Sequence, residues 1–318
     1  MKKEGFMRTY YKSIDEQIQL LKSRGLFIDN EARAKKVLLH YNFYKVINGT
    51  RLFLSKPGDP YRYRKGVTFH DVEAIHEFDK AIKKHFLNAV LDIERHLRSI
   101  VSYVFMKHHP EEEAYLKTEN FNKNKALVSA NTHTLTKTIE KYKEEKNYEK
   151  SIAYYFDKYD HVPLWFLINF VSLGKLVNFY QTMKAKEQYE VANLFTDFLY
   201  ENIEEAKGYY ITSQQFESFI LNIREIRNVV AHDNMILNYL CDASVAFIGP
   251  IHDEWQIRKE DDRSNVFNVY LIMQAFLSRS QFRKLTFNLQ EAIDVLKKEV
   301  DPTAFTHLMR ALGFPEKF

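Results

Sequence analysis

The strongest constraint on this fold is a stripe of apolar side chains whose spacing suits a helix and little else. Phe78, Ile82, Phe86, Ala89, Ile93, Leu97, Ile100 and Val104 recur at steps of three and four, which puts them on one face of a 3.6-residue repeat. A strand would send neighbours in such a set to opposite faces. The stripe predicts one long helix starting near Thr68 and stopped at His109-Pro110, because proline lacks the amide hydrogen and clashes with the turn before it. Nine glycines and seven prolines in 318 residues leave few turns for an all-β fold. The expected class is all-α.

Helix punctuation supports this reading. Ser13 and Glu16 have capping-box spacing ahead of a helix that Gly25 ends. A second helix start falls at Asp29 or Asn30 and leads into EARAKKVLLHYNFYKVI. This helix pair has a loose helix-turn-helix look. Residues 55–67, SKPGDPYRYRKGV, combine turn formers with basic residues and form the clearest loop or linker. Tyr61 and Tyr63 alternate there with Arg62, Arg64 and Lys65, a mixture that can stack on bases and pair with phosphates; an ordinary turn bearing surface tyrosines is the plainer account. Residues 111–150 are rich in Lys and Glu and suit exposed helices or a mobile excursion. VPLWFLINFVSLGKLVNFYQTM, from Val162 on, is apolar on nearly every side and predicts a central buried helix, with a break near Gly174. Further helices are expected over 213–240, near 265–279 and 286–299, and from Asp301-Pro302 to Leu312, with a loop at 242–264.

The composition narrows the function classes. Cys241 is the single cysteine, which excludes an internal disulfide and a cysteine-built zinc cluster and fits a reducing cytoplasm. The basic N-terminus is followed by no apolar run, so it is not read as a secretory signal. The longest apolar stretch, Pro163 to Leu173, falls short of the roughly 20 residues a bilayer requires. A soluble, cytoplasmic protein is expected. Charge is unevenly placed: residues 1–66 hold 15 Lys and Arg against 6 Asp and Glu, a balance of +9 that leaves −5 for the remainder. A basic end on an acidic body suggests a polyanion-binding element, although a solvated helix surface has the same composition. Phosphate-loop, nucleophile-elbow, zincin and EF-hand signatures are all missing. His108 and His109 are adjacent, so they point to different sides of a helix and make a poor metal pair.

Chemistry concentrates in NIREIRNVVAHDNMILN, residues 222–238. Phe216, Phe219, Ile223, Ile226 and Val230 form a core face, while Arg224, Asn228 and His232 at i, i+4 and i+8 form a polar stripe away from it. Arg227 lies on the flank between them. Histidine can take or give a proton near neutral pH, and arginine offers a fixed fork of donors to non-bridging phosphate oxygens. The combination suits phosphodiester cleavage. A surface helix with routine ion pairs among Arg224, Glu225 and Arg227 is the alternative.

Arg227-Asn228-x-x-x-His232 resembles the Arg-x4–6-His motif of HEPN ribonucleases, including their polar residue after the arginine. The surrounding chain resembles the Abi-like abortive-infection family of AbiD and AbiF type, through QLLKSRGLFIDNEARAKKVLLHYNFYKVING, FHDVEAIHEFDKAIKKHFLNAVLDIERHLRS, VPLWFLINFVSLGKLVNFYQ, IREIRNVVAHDNMILN and the terminal ALGFPEKF. The resemblance implies a HEPN-type helical bundle over 68–240, with helical extensions at 1–67 and 241–318. It implies metal-independent RNA cleavage without a cofactor, in which the 2′-hydroxyl attacks its own phosphate to leave a 2′,3′-cyclic phosphate. By position, Arg227 would stabilise the phosphorane, His232 would act as general base or acid, and Asn228 would orient one of them. Arg224, and Glu94 with Arg98 from the IERHLR segment, are supporting candidates; for the last two an intrahelical salt bridge is the structural alternative.

Residues five apart on an uninterrupted helix are separated by about 140°. Arg227 and His232 converge on one phosphate only if the helix ends or distorts between them, or if two copies of the motif face each other. The resemblance favours the second arrangement, a homodimer joined through the 222–238 helix. An unrestrained ribonuclease would kill its host, so an inhibitor is implied, and a structured non-coding RNA bound by the basic N-terminal region is the expected partner. Lys22, Arg24, Arg33, Lys35, Lys36, Lys45, Arg62, Arg64 and Lys65 are the candidate RNA contacts. A non-catalytic RNA-binding protein is the competing reading, and a DNA-binding regulator using residues 13–45 a more distant one.

Overall fold

The computed structural model describes residues 11–143 and 151–318. In chain order these form α1 (Ile14–Ser23), α2 (Glu31–Tyr41), a π-helical turn (Tyr44–Asn48), α3 (Gly49–Leu54), the strands β1 (Ser55–Lys56) and β2 (Asp59–Tyr63), and α4 (Phe69–His108). Then come α5 (Lys125–Lys143), α6 (Ile152–Tyr159), α7 (Leu164–Leu167), α8 (Leu173–Thr182), α9 (Ala185–Asn202) and α10 (Ser213–Ala231). The chain closes with α11 (Gly249–His252), α12 (Val266–Ile272), α13 (Arg279–Glu299) and α14 (Pro302–Leu312). The fold is all-α, and its one sheet among the described residues is the antiparallel β1–β2 hairpin. No described helix is long and apolar enough to cross a membrane.

The chain divides into two compact units. The first runs from the N-terminal region to Lys83 and includes Met235–Asn238 and Asn288–Phe318. Ser13 caps α1 through the expected box with Glu16, and Asn30 caps α2 by accepting from the Arg33 amide. The helical run expected beyond Tyr41 is interrupted at Asn42, whose φ of 65° is left-handed and which L residues adopt at a cost. Residues 55–63, read from sequence as a loop, fold into the hairpin and bury Tyr63. The Tyr63 amide donates to the Arg24 carbonyl at 3.0 Å, which docks β2 on the end of α1. The C-terminal segment is tied to the same unit by Arg64 and Asp301 at 2.7 Å and by the Asp301 amide on Asp71 Oδ1 at 2.8 Å.

The second unit comprises Lys84–Asn234 and Tyr239–Phe287. Phe86, Ile93, Leu97 and Val104 of the α4 stripe are buried in it, joined by Val90 and Val101. Phe195 of α9, Phe216 of α10 and Phe276 beyond α12 are fully buried, with ring centroids 5.0–5.3 Å apart. Truncating such a ring to alanine costs about 3–5 kcal/mol, so these contacts fix α10 in the bundle. In the 111–143 stretch, read as exposed helices or a mobile excursion, Lys125–Lys143 is helical and Tyr115, Phe121, Val128, Leu135 and Ile139 are buried. Residues 144–150 of that expectation lie outside the described residues. The apolar run from Val162 forms α7, a 3-10 turn (Ile168–Phe170) and α8, and it breaks at Val171-Ser172, close to the break expected near Gly174. Helix α9 occupies a stretch to which sequence patterning assigned no element.

Candidate functional site

Helix α10 begins with a capping box, Thr212 with Gln215, and buries all five predicted core positions, Phe216, Phe219, Ile223, Ile226 and Val230. It does not reach residue 240. The Asn234 amide donates to the Val229 carbonyl at 2.9 Å and the Asp233 amide to the Val230 carbonyl at 3.4 Å, with Asp233 at φ 53°. These two bonds around one left-handed residue form a Schellman ending. The polar requirement of the last carbonyls is thereby met without further helix. His232 is the C-cap residue and its amide still donates to the Asn228 carbonyl at 3.1 Å, so the helix ends at the imidazole and runs uninterrupted from Arg227 up to it. The imidazole is exposed and makes no hydrogen bond among the described residues.

The flank of α10 meets α4 through a carboxylate. Glu94 is 3% exposed, and its Oε1 accepts from Arg227 Nε at 3.2 Å. Its Oε2 accepts from Arg98 Nη2 at 3.1 Å, so the i,i+4 salt bridge foreseen for this pair is present and is shared with α10. Arg98 Nη2 also donates to the Val171 carbonyl at 3.1 Å. That carbonyl is available because the chain breaks there between α7 and α8. One buried anion thus holds two guanidiniums, leaving a net positive charge. Arg227 is gripped by its Nε edge alone, and its terminal nitrogens have no hydrogen-bond partner among the described residues.

The remaining candidates sort by exposure. Asn228 is exposed and Arg224 half-buried, and neither forms an ion pair or side-chain hydrogen bond among the described residues. A Cβ added at Gly174 would lie 3.8 Å from Arg224 Cδ, so α8 approaches the arginine stem closely. Glu225 is occupied elsewhere, accepting from the Tyr239 hydroxyl at 3.1 Å and the Asp242 amide at 2.9 Å. Beside it, burial pushes the Cys241 thiol up to about 12, which keeps it protonated and poorly nucleophilic. Sequence patterning missed the Val171 carbonyl and the close approach at Gly174; both depend on where a helix breaks.

The basic candidates lie in the first unit, and most have carboxylate partners. Lys22 pairs with Glu31, Lys35 with Asp15, Arg33 with Glu73 at 2.8 Å, Arg62 with Asp59 at 3.8 Å and Arg64 with Asp301 at 2.7 Å. Lys36 and Lys65 are exposed and unpaired among the described residues, and Lys45 is exposed. Arg24 lies over the Tyr61 ring.

Fold and site together define a class: an all-α protein with an exposed histidine at a helix end and an arginine held on the same helix by a buried carboxylate. The chain belongs to the Abi-like protein family, whose model matches residues 36–238. That span contains Glu94, Arg98 and every α10 candidate, whereas α1 and the terminal ALGFPEKF lie outside it. The family implies abortive infection, a form of phage defence. Searches of curated proteins and of solved structures gave no match.

Proposed function

We propose that this protein is a HEPN-type endoribonuclease, a toxin of phage defence that cleaves RNA without a metal ion. The observation that carries this reading is the presentation of Arg227 and His232. A buried carboxylate fixes the guanidinium by one edge and leaves its terminal donors free, and the imidazole sits exposed where the helix has just ended. A planar fork with free donors matches the non-bridging oxygens of a phosphodiester. It is of most use when charge builds on those oxygens in the phosphorane.

In the proposed step an imidazole takes the proton of a 2′-hydroxyl, and the 2′ oxygen forms a bond to phosphorus. The bond from phosphorus to the 5′ oxygen breaks, and that oxygen takes a proton from a second general acid. The products are a 2′,3′-cyclic phosphate and a 5′-hydroxyl. Two imidazoles serve best here, one as base and one as acid, which is the reason for proposing a two-fold homodimer with the α10 ends facing each other. Asn228 would orient phosphate or imidazole, Arg224 would add positive charge, and Arg98 would share with Glu94 the positioning of Arg227. A partner RNA held by the first unit would restrain the activity.

Expressing the wild type beside Arg227→Ala and His232→Ala, and mapping new RNA ends in the cell, tests this reading. Cyclic-phosphate ends should appear with the wild type alone. Ends common to all three proteins would remove the nuclease and leave an RNA-binding bundle.

A further inference from the structure

The arginines of the first unit are not equivalent. Within the first 66 residues, each described arginine has a carboxylate partner except Arg24 and Arg51. These two converge on one aromatic ring: their guanidinium carbons lie 5.5 Å and 4.9 Å from the centroid of Tyr61. Tyr61 is 57% exposed, at the middle of β2. The three residues come from the end of α1, from α3 and from the hairpin, and the docking of β2 on the Arg24 carbonyl brings them together.

A second observation points to the same place. Tyr63 is 2% exposed, yet its hydroxyl has no hydrogen-bond partner among the described residues, which is costly for a buried polar atom. Burial pushes this phenol up to about 12, and the two charges that oppose the shift are those of Arg24 and Arg51. Two guanidiniums with no carboxylate partner among the described residues therefore lie against one exposed ring, beside a buried phenol. The nearest acid on the hairpin, Asp59, is already engaged by Arg62 and by the Tyr61 amide. An aromatic face attracts cations but does not neutralise them, so both keep free donors for an incoming anion.

We propose that Arg24, Arg51 and Tyr61 form a phosphate-contact site of the first unit, occupied by the sugar–phosphate backbone of RNA. The choice of RNA rests on the function proposed above. A polyanion is favoured over a small anion because Tyr61 is exposed and Arg24 and Arg51 are only half-buried, so these groups stay in contact with water, where binding strength comes from several phosphates at once. Here the ring sets the spacing of the two guanidiniums, and specificity for sequence is not required.

The test is binding of a fluorescein-labelled single-stranded RNA 20-mer to the full-length protein, read by anisotropy between 50 and 200 mM salt. His232→Ala serves as background so that the probe stays intact. Adding R24Q and R51Q should weaken binding at least tenfold at the middle of that range. The salt slope should fall by about 1.4, the value for two lost contacts to a single strand. Tyr61→Ala, at an exposed position where folding is not at stake, should weaken binding without changing the slope as much, whereas Tyr61→Phe should leave it unchanged. R283Q, which removes an exposed arginine of the second unit, should have little effect. Unaltered affinity and slope in R24Q/R51Q would overturn the site, as would full displacement of the RNA by millimolar inorganic phosphate at constant ionic strength. Cleavage by the wild type is scored separately. A protein that never cuts RNA but loses it with R24Q/R51Q refutes the nuclease and leaves this site standing.

Discussion

Changing Glu94 to glutamine asks whether the second unit depends on a buried charge to hold Arg227. The carboxylate is 3% exposed and accepts one hydrogen bond from each of two arginines, at 3.2 and 3.1 Å. Glutamine keeps the volume, removes the charge, and turns a donor toward one of the guanidiniums. Deleting one partner of a fully buried ion pair costs about 3–5 kcal/mol. The Arg98 and Arg227 side chains are 19% and 29% exposed, so water recovers part of their solvation and about 2–3 kcal/mol is expected. With a urea slope of about 2–3 kcal/mol per molar, the unfolding midpoint should fall by about 1 M. Arg227→Ala leaves Glu94 paired with Arg98 and should cost about 1 kcal/mol. The two changes should be non-additive by about 1–2 kcal/mol in a double-mutant cycle, since the residues touch. For the proposed cleavage, Glu94 is a positioning residue. Below the melting range Glu94→Gln should lower kcat by about tenfold to a hundredfold and raise KM little. A midpoint shift below about 0.3 M, or strict additivity with Arg227→Ala, would mean that the buried charge of Glu94 does not hold Arg227.

Burial lowers the pKa of both His76 and His252 from the ordinary 6.5, so the unfolded chain holds more protons between each folded value and 6.5, and stability drops as pH falls through that window. Thermal midpoints from pH 7.5 to 5.5 should show this decline, with a shallower slope in His252→Gln; a flat profile would contradict it. Gln256 has φ 58° at an exposed position, and Gln256→Gly should raise stability by about 1 kcal/mol in urea titration, a gain that valine should reverse. Mixing wild-type with His232→Ala subunits tests the two-fold site. With wild type and His232→Ala at equal amounts, a reaction that needs both imidazoles should retain about a quarter of wild-type cleavage, the share of pure wild-type dimers under random pairing, whereas retention of about one half would place the whole site in one subunit.

The sequence alone determined the helical class and much of its punctuation. The α4 stripe, the Ser13 box, the Asp301-Pro302 start and the α10 core face are set by periodicity and local capping, which act over a few residues and can be read in order along the chain. The polar stripe of α10 and the Glu94–Arg98 pair were legible for the same reason. Tertiary structure decided the rest. Helix α10 stops at Ala231 because two amides beyond it fold back on Val229 and Val230 around a left-handed Asp233, and no glycine announces that turn. Glu94 and Arg227 stand 133 positions apart, and Arg24, Arg51 and Tyr61 meet only once the hairpin docks. Side chains far apart in sequence find their partners through packing, and no local pattern encodes which carboxylate will be buried or which arginine will be left without one.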